Sequence, residues 1–487
     1  MLHALRARRT APRRPGARPL SATRRPSLLA ALLFALFAAT PALAHTKLKS
    51  SQPAAGDTVR GDSVREVRLR FTTRVSPEVT HLALLLGTDT IAAGNLVTVE
   101  GTEGRVLALA LPATLRAGAY VVHWRTAGAD GHVIRGDFAF SVAGDPAVAM
   151  LAPPDSAPVA ATALPGTPEA VDAGGSDTQS ESATVLPVLV RWGGFLALLG
   201  MIGSAVFNLV VLRRLRGRSG APDSVIDRAA YGAWYLAAGA AALSVLTLVL
   251  RLWQQATELY GAEAFEGWRL VGLLNGTVWG LGWTLQALAT VAFFVGLMVA
   301  RAPHGRSVGW MGAGAAAVLV SAVPAFSGHA AAVERLPALA IIADTLHVLG
   351  AGTWLGTLAT LLAAGLPAAA FAPGDEGPSS IAAMVRAFSP VALAGSGLAA
   401  ATGLVSALFH VGAPADLFGT AYGRMLLVKL ALLAVVGGIG FYNWRRVLPT
   451  LGDAAAAAHL RRSARMEIAF GVAVVLVTAI LVALPTP

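Results

Sequence analysis

Eight apolar runs dominate the C-terminal part of this chain and leave few folds open to it. They cover roughly residues 186–212, 230–252, 278–300, 308–328, 337–366, 381–410, 421–443 and 465–485. A helix rises about 1.5 Å per residue, so each run can cross a hydrocarbon core about 30 Å thick. Of the 487 residues, 55% are hydrophobic and only 13% charged. That balance points to a polytopic helical membrane protein rather than a water-soluble one. The lipid bilayer is therefore an expected partner.

The net charge of +11 does not indicate nucleic-acid binding, because of where it lies. Eight arginines precede Leu28, and residues 45–145 hold 11 Lys/Arg against 10 Asp/Glu. The rest of the excess sits in short loops. Arg213, Arg214, Arg216 and Arg218 follow the first run, Arg301 and Arg306 the third, and Arg445, Arg446, Arg461 and Arg462 the seventh. Loops on the other side carry only scattered Arg251, Arg269, Arg335 and Arg424. By the positive-inside rule, both the segment before the first run and the C-terminus face the outside. No nucleic-acid partner is expected. The chain has no cysteine, which excludes disulfides, thiolate zinc sites, Fe–S clusters and thiol catalysis.

Residues 1–44 read as an export signal. A basic stretch leads into the apolar core 28–38, and Pro41-Ala42-Leu43-Ala44 supplies an A-x-A cleavage pattern. Thr23-Arg24-Arg25-Pro26 loosely resembles a twin-arginine motif; an ordinary Sec signal is the alternative. Cleavage after Ala44 makes His45 the first mature residue.

Residues 45–145 read as β. The segment 65–71 alternates charged and apolar side chains with period two. Further strands are expected at 81–86, 106–111, 119–125 and 133–142, separated by turn residues at 56–57, 87–89 and 101–104. Several short strands without a convincing helix predict an all-β sandwich. Residues 146–183, rich in Pro, Ala, Gly and Ser, read as a flexible linker, and 184–487 as the membrane domain.

Within the β segment, His45, Ser51-Gln-Pro53-Ala-Ala-Gly56, Tyr120, His123-Trp124-Arg125, Asp130-Gly131-His132 and Gly136-Asp-Phe138-Ala-Phe140 occur in an order that resembles the CopC family of periplasmic copper-binding β-sandwiches. The resemblance implies a Cu(II) site formed by His45, Asp130 and His132. The chemistry is coherent with that. A free α-amine and the imidazole of one residue can chelate an ion in a ring, and the amine's reference pKa near 8 lets metal displace its proton. Residues two apart on extended backbone point to one side. Two imidazoles, an amine and a carboxylate suit tetragonal Cu(II). Asp130-Gly131-His132 taken alone fits a turn equally well. His81 and His123 are weaker candidates for metal. No methionine lies between residues 45 and 149, so Cu(I), which prefers thioether sulfur, is not expected in this domain.

The membrane segment resembles the CopD family of copper-resistance and copper-import proteins through Arg191-Trp192, Ser327-Gly-His329, Asp344-Thr-Leu-His347 leading to Gly352-Thr-Trp354-Leu-Gly356, Thr402-Gly403, Tyr422-Gly-Arg424, Lys429, Asn443-Trp-Arg445 and Glu467. Ionisable groups at membrane depth are costly and mark a pathway or a partner. Asp344 and His347, three apart, share a helix face in the outer half of the fifth run. His329 and His410 end the fourth and sixth runs on the same side, so these four groups are candidates for a membrane copper pathway. The competing reading makes His329 and His410 interfacial caps and pairs Asp344 with Lys429 or Arg424. Lys429 is a candidate for a structural or gating role, as is Glu467 near the cytoplasmic side of the last run. Met384, Met425 and Met466 are too scattered for a thioether ladder and are expected in the core. Gly352 and Gly356 have the spacing that lets helices approach closely.

These features together predict a multi-pass inner-membrane protein with its N-terminal domain in the periplasm. It is expected to bind periplasmic Cu(II), to move copper across the membrane in uptake, homeostasis or resistance, and to meet copper ion and other periplasmic copper proteins. No nucleotide-binding loop or phosphorylation motif is present, and no enzymatic activity is expected. The alternatives are a membrane redox protein binding haem through transmembrane histidines, or a copper-dependent oxidative enzyme built on the N-terminal chelate.

Overall fold

The computed structural model describes residues 46–94, 96–128, 133–143, 185–216, 221–302, 304–326, 336–374, 376–447, 449 and 454–484. The first part is a two-sheet β-sandwich. One sheet has the order β1-β3-β7-β6, with β1 Leu48–Gln52, β3 Glu66–Phe71, β6 Leu96–Thr98 and β7 Val106–Ala110. The other has the order β2-β9-β8-β4-β5, with β2 Thr58–Arg60, β4 His81–Leu86, β5 Asp89–Ala93, β8 Gly118–Ala127 and β9 Val133–Ala143. All pairings are antiparallel except β2 with β9.

The period-two pattern predicted for 65–71 becomes β3. Val67, Leu69 and Phe71 point into the core, while Arg68 and Arg70 face solvent. They meet Leu82, Leu84, Tyr120, Val122, Trp124 and Phe140 from the opposite sheet. Trp124 stands edge-on to Phe71 with centroids 5.5 Å apart. It also lies over Gly136, where any Cβ would come within 2.8 Å of the indole. The Gly136 of the sequence motif is thus what lets β9 pass under the tryptophan. The Tyr120 hydroxyl donates to the Arg116 carbonyl at 3.0 Å, tying down the start of β8.

Strands β1, β2, β5 and β6 were not anticipated by alternation. They are short, and β5 begins at Asp89, which had the look of a turn residue. Among the described residues of this part, one 3-10 turn, Pro77–Val79, interrupts the strands.

Among the described residues, the second part contains eight helices long and apolar enough to cross a membrane. Spans 1 to 8 are Val185–Leu215, Asp223–Glu263, Val278–Arg301, Arg306–Ala325, Ala338–Ala370, Glu376–His410, Ala421–Val447 and His459–Leu481. A short helix, Gly267–Gly276, precedes span 3 and was not predicted.

Glycines set the closest crossings. Gly203 on span 1 and Gly356 on span 5 touch through their backbones; a Cβ on Gly203 would stand 1.9 Å from the Gly356 carbonyl carbon. Gly352 abuts Ile202 in the same crossing, as the Gly352–Gly356 spacing predicts. Here span 5 takes a π-helical turn, Gly352–Gly356, and span 7 takes another at Asn443–Val447. Such turns re-aim side chains and recur at functional sites. The Arg191-Trp192 motif clamps span 1 to span 8: Arg191 Nη1 donates to the Ala479 carbonyl and Trp192 Nε1 to the Val472 carbonyl, both at 3.3 Å. Of the methionines expected in the core, Met384 is fully buried but Met466 is exposed on span 8.

Candidate copper-handling sites

His45, Asp130, His132 and His329 lie outside the described residues. Their described neighbours, however, are well anchored. Thr46 is buried, its hydroxyl 2.5 Å from that of Thr73, and the Lys47 N–H donates to Thr72 Oγ1 at 2.9 Å. Chain residue 46 is therefore pinned beside the end of β3. Phe71 in that strand stands against Trp124, three residues before the end of β8 at Ala127. Residues 46 and 127 thus emerge at the same end of the sandwich, together with Val133, where β9 begins.

That end rests on the membrane domain. Val79, Ala127 and Val133 pack with Ala256, Leu259, Tyr260, Leu273 and Trp279 from span 2, the short helix and the start of span 3. The Tyr260 hydroxyl reaches the Glu78 carbonyl at 3.5 Å. Gly272 and Gly276 leave room for Glu78 and Ser76. The sandwich therefore sits over a loop whose one basic residue is Arg269, on the side opposite the Arg-rich loops.

His81, at the start of β4, is drawn into this junction. Its ring meets Tyr260 edge-on with centroids 5.5 Å apart, and its Nε2 is buried without a hydrogen-bond partner. Burial first, then Arg125 and Arg269, push its pKa down to about 4, with Glu263 acting in the opposite sense. Burial and Arg269 also lower that of Arg125. His81 is a neutral junction residue here. His123 is exposed on β8, opposite Asp137 on the outer face of the sheet.

Within the membrane domain, Asp344 and His347 occupy the N-terminal part of span 5. The Asp344 carboxylate lies in electrostatic range of His410, at the C-terminal end of span 6, and of Lys429 on span 7. Tyr422 also faces it. Arg424 is elsewhere: its guanidinium donates to the carbonyls of Phe418 and Gly419 at 3.3 Å, closing the turn that enters span 7. Of the two cations read as partners for Asp344, the structure brings Lys429.

His347 is held from both sides. Its Nδ1 is 2.8 Å from the Ala399 carbonyl, and since a carbonyl only accepts, Nδ1 carries the proton and the neutral ring keeps its lone pair on Nε2. The ring lies flat against Gly403, where a Cβ would come within 3.0 Å of Cε1 and 3.1 Å of Nδ1. Gly395 approaches the backbone of Gly350 and Trp354 one and two turns away, so a stripe of small residues on span 6 seats span 5 and its histidine. The His410 Nδ1 likewise donates to the Ser406 carbonyl, at 2.6 Å. Among the described residues, no three or more His, Asp or Glu side chains are gathered closely enough to hold a metal ion by themselves.

Glu467 belongs to a separate cluster. It is buried on span 8, and its carboxylate accepts from Asn443 Nδ2 at 3.4 Å and from the side chain of Trp354. The Ser463 hydroxyl donates to Asn443 Oδ1 at 2.7 Å. Trp354 and Asn443 appeared in the sequence only as motif letters. Each lies on a π-helical turn, and no spacing rule connects them to Glu467.

Comparison with known proteins agrees with this two-part organisation. Residues 48–143 match the CopC domain, 182–339 the copper resistance protein D-like N-terminal domain, and 382–481 copper resistance protein D. The copper transport protein CutJ of Bacillus subtilis (strain 168) is 25% identical over 466 residues, covering 94% of this chain and 77% of CutJ. Among solved structures, CopC from Methylosinus trichosporium OB3b is 32% identical, covering 20% of this chain and 95% of that one, with a TM-score of 0.19. PcoC, a methionine-rich copper resistance protein from Escherichia coli, is 25% identical over 20% of this chain and all of its own, with a TM-score of 0.18. Sandwich, eight spans and matched segments lead to one assignment: the chain is a CopC–CopD fusion, a CopC domain joined to a copper-resistance membrane domain.

Proposed function

We propose that the protein captures periplasmic Cu(II) with His45, Asp130 and His132 and delivers copper into the membrane domain, for passage across the inner membrane by way of His329, Asp344, His347 and His410. The observation that carries this reading is the position of the sandwich. Residues 46, 127 and 133, which flank the three ligands, emerge at the end of the sandwich that packs on spans 2 and 3. Captured ion would then be released at the outer face of the spans rather than on the far side of the domain.

The chemistry of a handover is compatible with both ends. An amine, two imidazoles and a carboxylate bind Cu(II) well, and lowering the pH or competing for one ligand loosens them, since protons and metal share the same sites. Below the junction, Asp344 offers one carboxylate with His410 beside it, and His347 offers an oriented imidazole. An incomplete ligand set of this kind binds a passing ion weakly, which conduction requires: a site must be favourable enough to enter and weak enough to leave. Lys429 sets the charge at the site, balancing Asp344 when no cation is present.

The test is cellular copper content with and without the protein, in parallel with Asp344→Ala and His347→Ala, and the mass of the mature N-terminus. Uptake predicts that copper rises with the wild type and that both variants lose the increase, with His45 as residue one. A mature chain starting elsewhere removes the chelate, and variants indistinguishable from wild type remove the membrane route.

A further inference from the structure

Glu467 has no part in the route above, yet its side chain is buried within the membrane domain, at 5% exposed. It lies toward the inner end of span 8, eight residues after His459. Three helices build its surroundings. Span 5 supplies Trp354 and span 7 supplies Asn443, both as donors to the carboxylate. Ser463, one turn earlier on span 8, donates to Asn443 Oδ1 at 2.7 Å and fixes the amide with its N–H₂ toward Glu467.

No cation balances this acid among the described residues. Lys429 on span 7 faces Asp344, and Arg191 on span 1 donates to the Ala479 carbonyl near the outer end of span 8. Arg386 on span 6, Arg445 and Arg446 at the end of span 7, and Arg465 on span 8 itself are exposed. On span 5, His347 is engaged with Ala399.

A carboxylate without a counter-ion is costly in such a place, and its apolar walls favour the neutral acid. Two neutral donors aimed at the oxygens favour the ionised form. The two influences oppose each other, so neither state is locked. The buried Ser463, which holds Asn443, also lines an open groove of about 620 Å³ between spans 7 and 8, with Tyr442, His459 and Arg462 among others.

We propose that Glu467 is a reversible proton-binding site in the inner half of the membrane domain. Its acid O–H gives its proton to water, and Asn443 and Trp354 then hold the carboxylate; the reverse step reloads it. The ligand is the proton itself, exchanged with the cytoplasmic side. This inference does not rest on copper crossing the membrane, and it fails or stands separately from that reading.

The experiment is infrared difference spectroscopy of the full-length protein in lipid nanodiscs across a series of pH steps. The wild type should show the carbonyl-stretch band of a protonated carboxylic acid that is lost reversibly as pH rises. Glu467→Gln should remove that band, while Asp344→Asn should retain it. Asn443→Ala keeps the acid and removes one donor to its ionised form, so the band should persist about one pH unit higher than in the wild type. A band unchanged by Glu467→Gln overturns the proposal, as does a wild type without any pH-dependent acid band. An Asn443→Ala protein that titrates as the wild type does also overturns it, and needs no folded Glu467 variant.

Discussion

Span 5 contributes to two polar clusters that differ in kind. Near its N-terminal end, Asp344 faces His410, Lys429 and Tyr422, with His347 one turn further along the same face. Ten residues after Asp344, Trp354 reaches Glu467 together with Asn443. The outer cluster mixes a carboxylate with an ammonium and imidazoles from three spans. The inner one pairs a single acid with neutral donors and no cation among the described residues. Opposite charges at one depth can be separated by an incoming cation, which takes over the carboxylate while the ammonium turns away. A lone acid among neutral donors has one small ligand that changes its charge without rearranging helices, a proton. Both clusters cost desolvation that apolar side chains would avoid, so neither is explained by stability alone.

The sharpest way to break this contrast is at Lys429. Lys429→Met removes one of the two basic side chains in range of Asp344, leaving His410, and should cost up to about 3 kcal/mol. Adding Asp344→Asn should recover most of it. Thermal unfolding in detergent reads both, and a fully additive double variant would separate the two residues. At Glu467, which has no cation to lose, the corresponding Glu467→Gln exchange should cost less than Lys429→Met does.

A smaller effect is expected where span 6 seats the histidine. Gly403→Ala places a methyl 3.0 Å from His347 Cε1 and should cost about 1–3 kcal/mol as overpacking. His347→Ala in the same chain should relieve it. Failure of that rescue would show that the glycine serves the helix crossing and not the imidazole.

The junction between sandwich and spans gives a pH prediction. The His81 pKa falls to about 4 in the folded protein from 6.5, so the folded form binds fewer protons than the unfolded one. The stability contributed by the neutral ring is complete above about 6.5 and is lost as pH falls toward 4. The groups facing the ring are Arg125, Arg269, Glu263 and Tyr260, and the two arginines make protonation harder. Hydrogen exchange around Val79 and Tyr260 should therefore quicken on acidification across that window. His81→Phe should flatten the response. Smallest of all, His123→Ala on the exposed face of β8 should change stability and copper binding by no more than about 0.5 kcal/mol in a copper titration.

What the sequence made legible followed from composition and short-range periodicity. Val67, Leu69 and Phe71 alternate with arginines, so β3 and its inward face could be read directly. The eight spans announce themselves by length and hydropathy. Asp344 and His347 stand out because charge is rare at that depth. Strands β2 and β6 could not be read, since three residues carry no period and these strands exist only through their pairing with β9 and β7. The seat of His347 on Gly403 joins residues 56 positions apart across a helix crossing. The Glu467 cluster depends on two π-helical turns that rotate Trp354 and Asn443 inward, and a 3.6-residue template does not produce that rotation.

The most direct test of copper passage uses the purified full-length protein reconstituted in liposomes, with a copper-sensitive dye enclosed. Copper should reach the lumen faster than in protein-free liposomes, and Asp344→Ala should abolish the difference while the protein remains folded. Entry at the protein-free rate, or entry unaffected by Asp344→Ala, would contradict copper passage by this route.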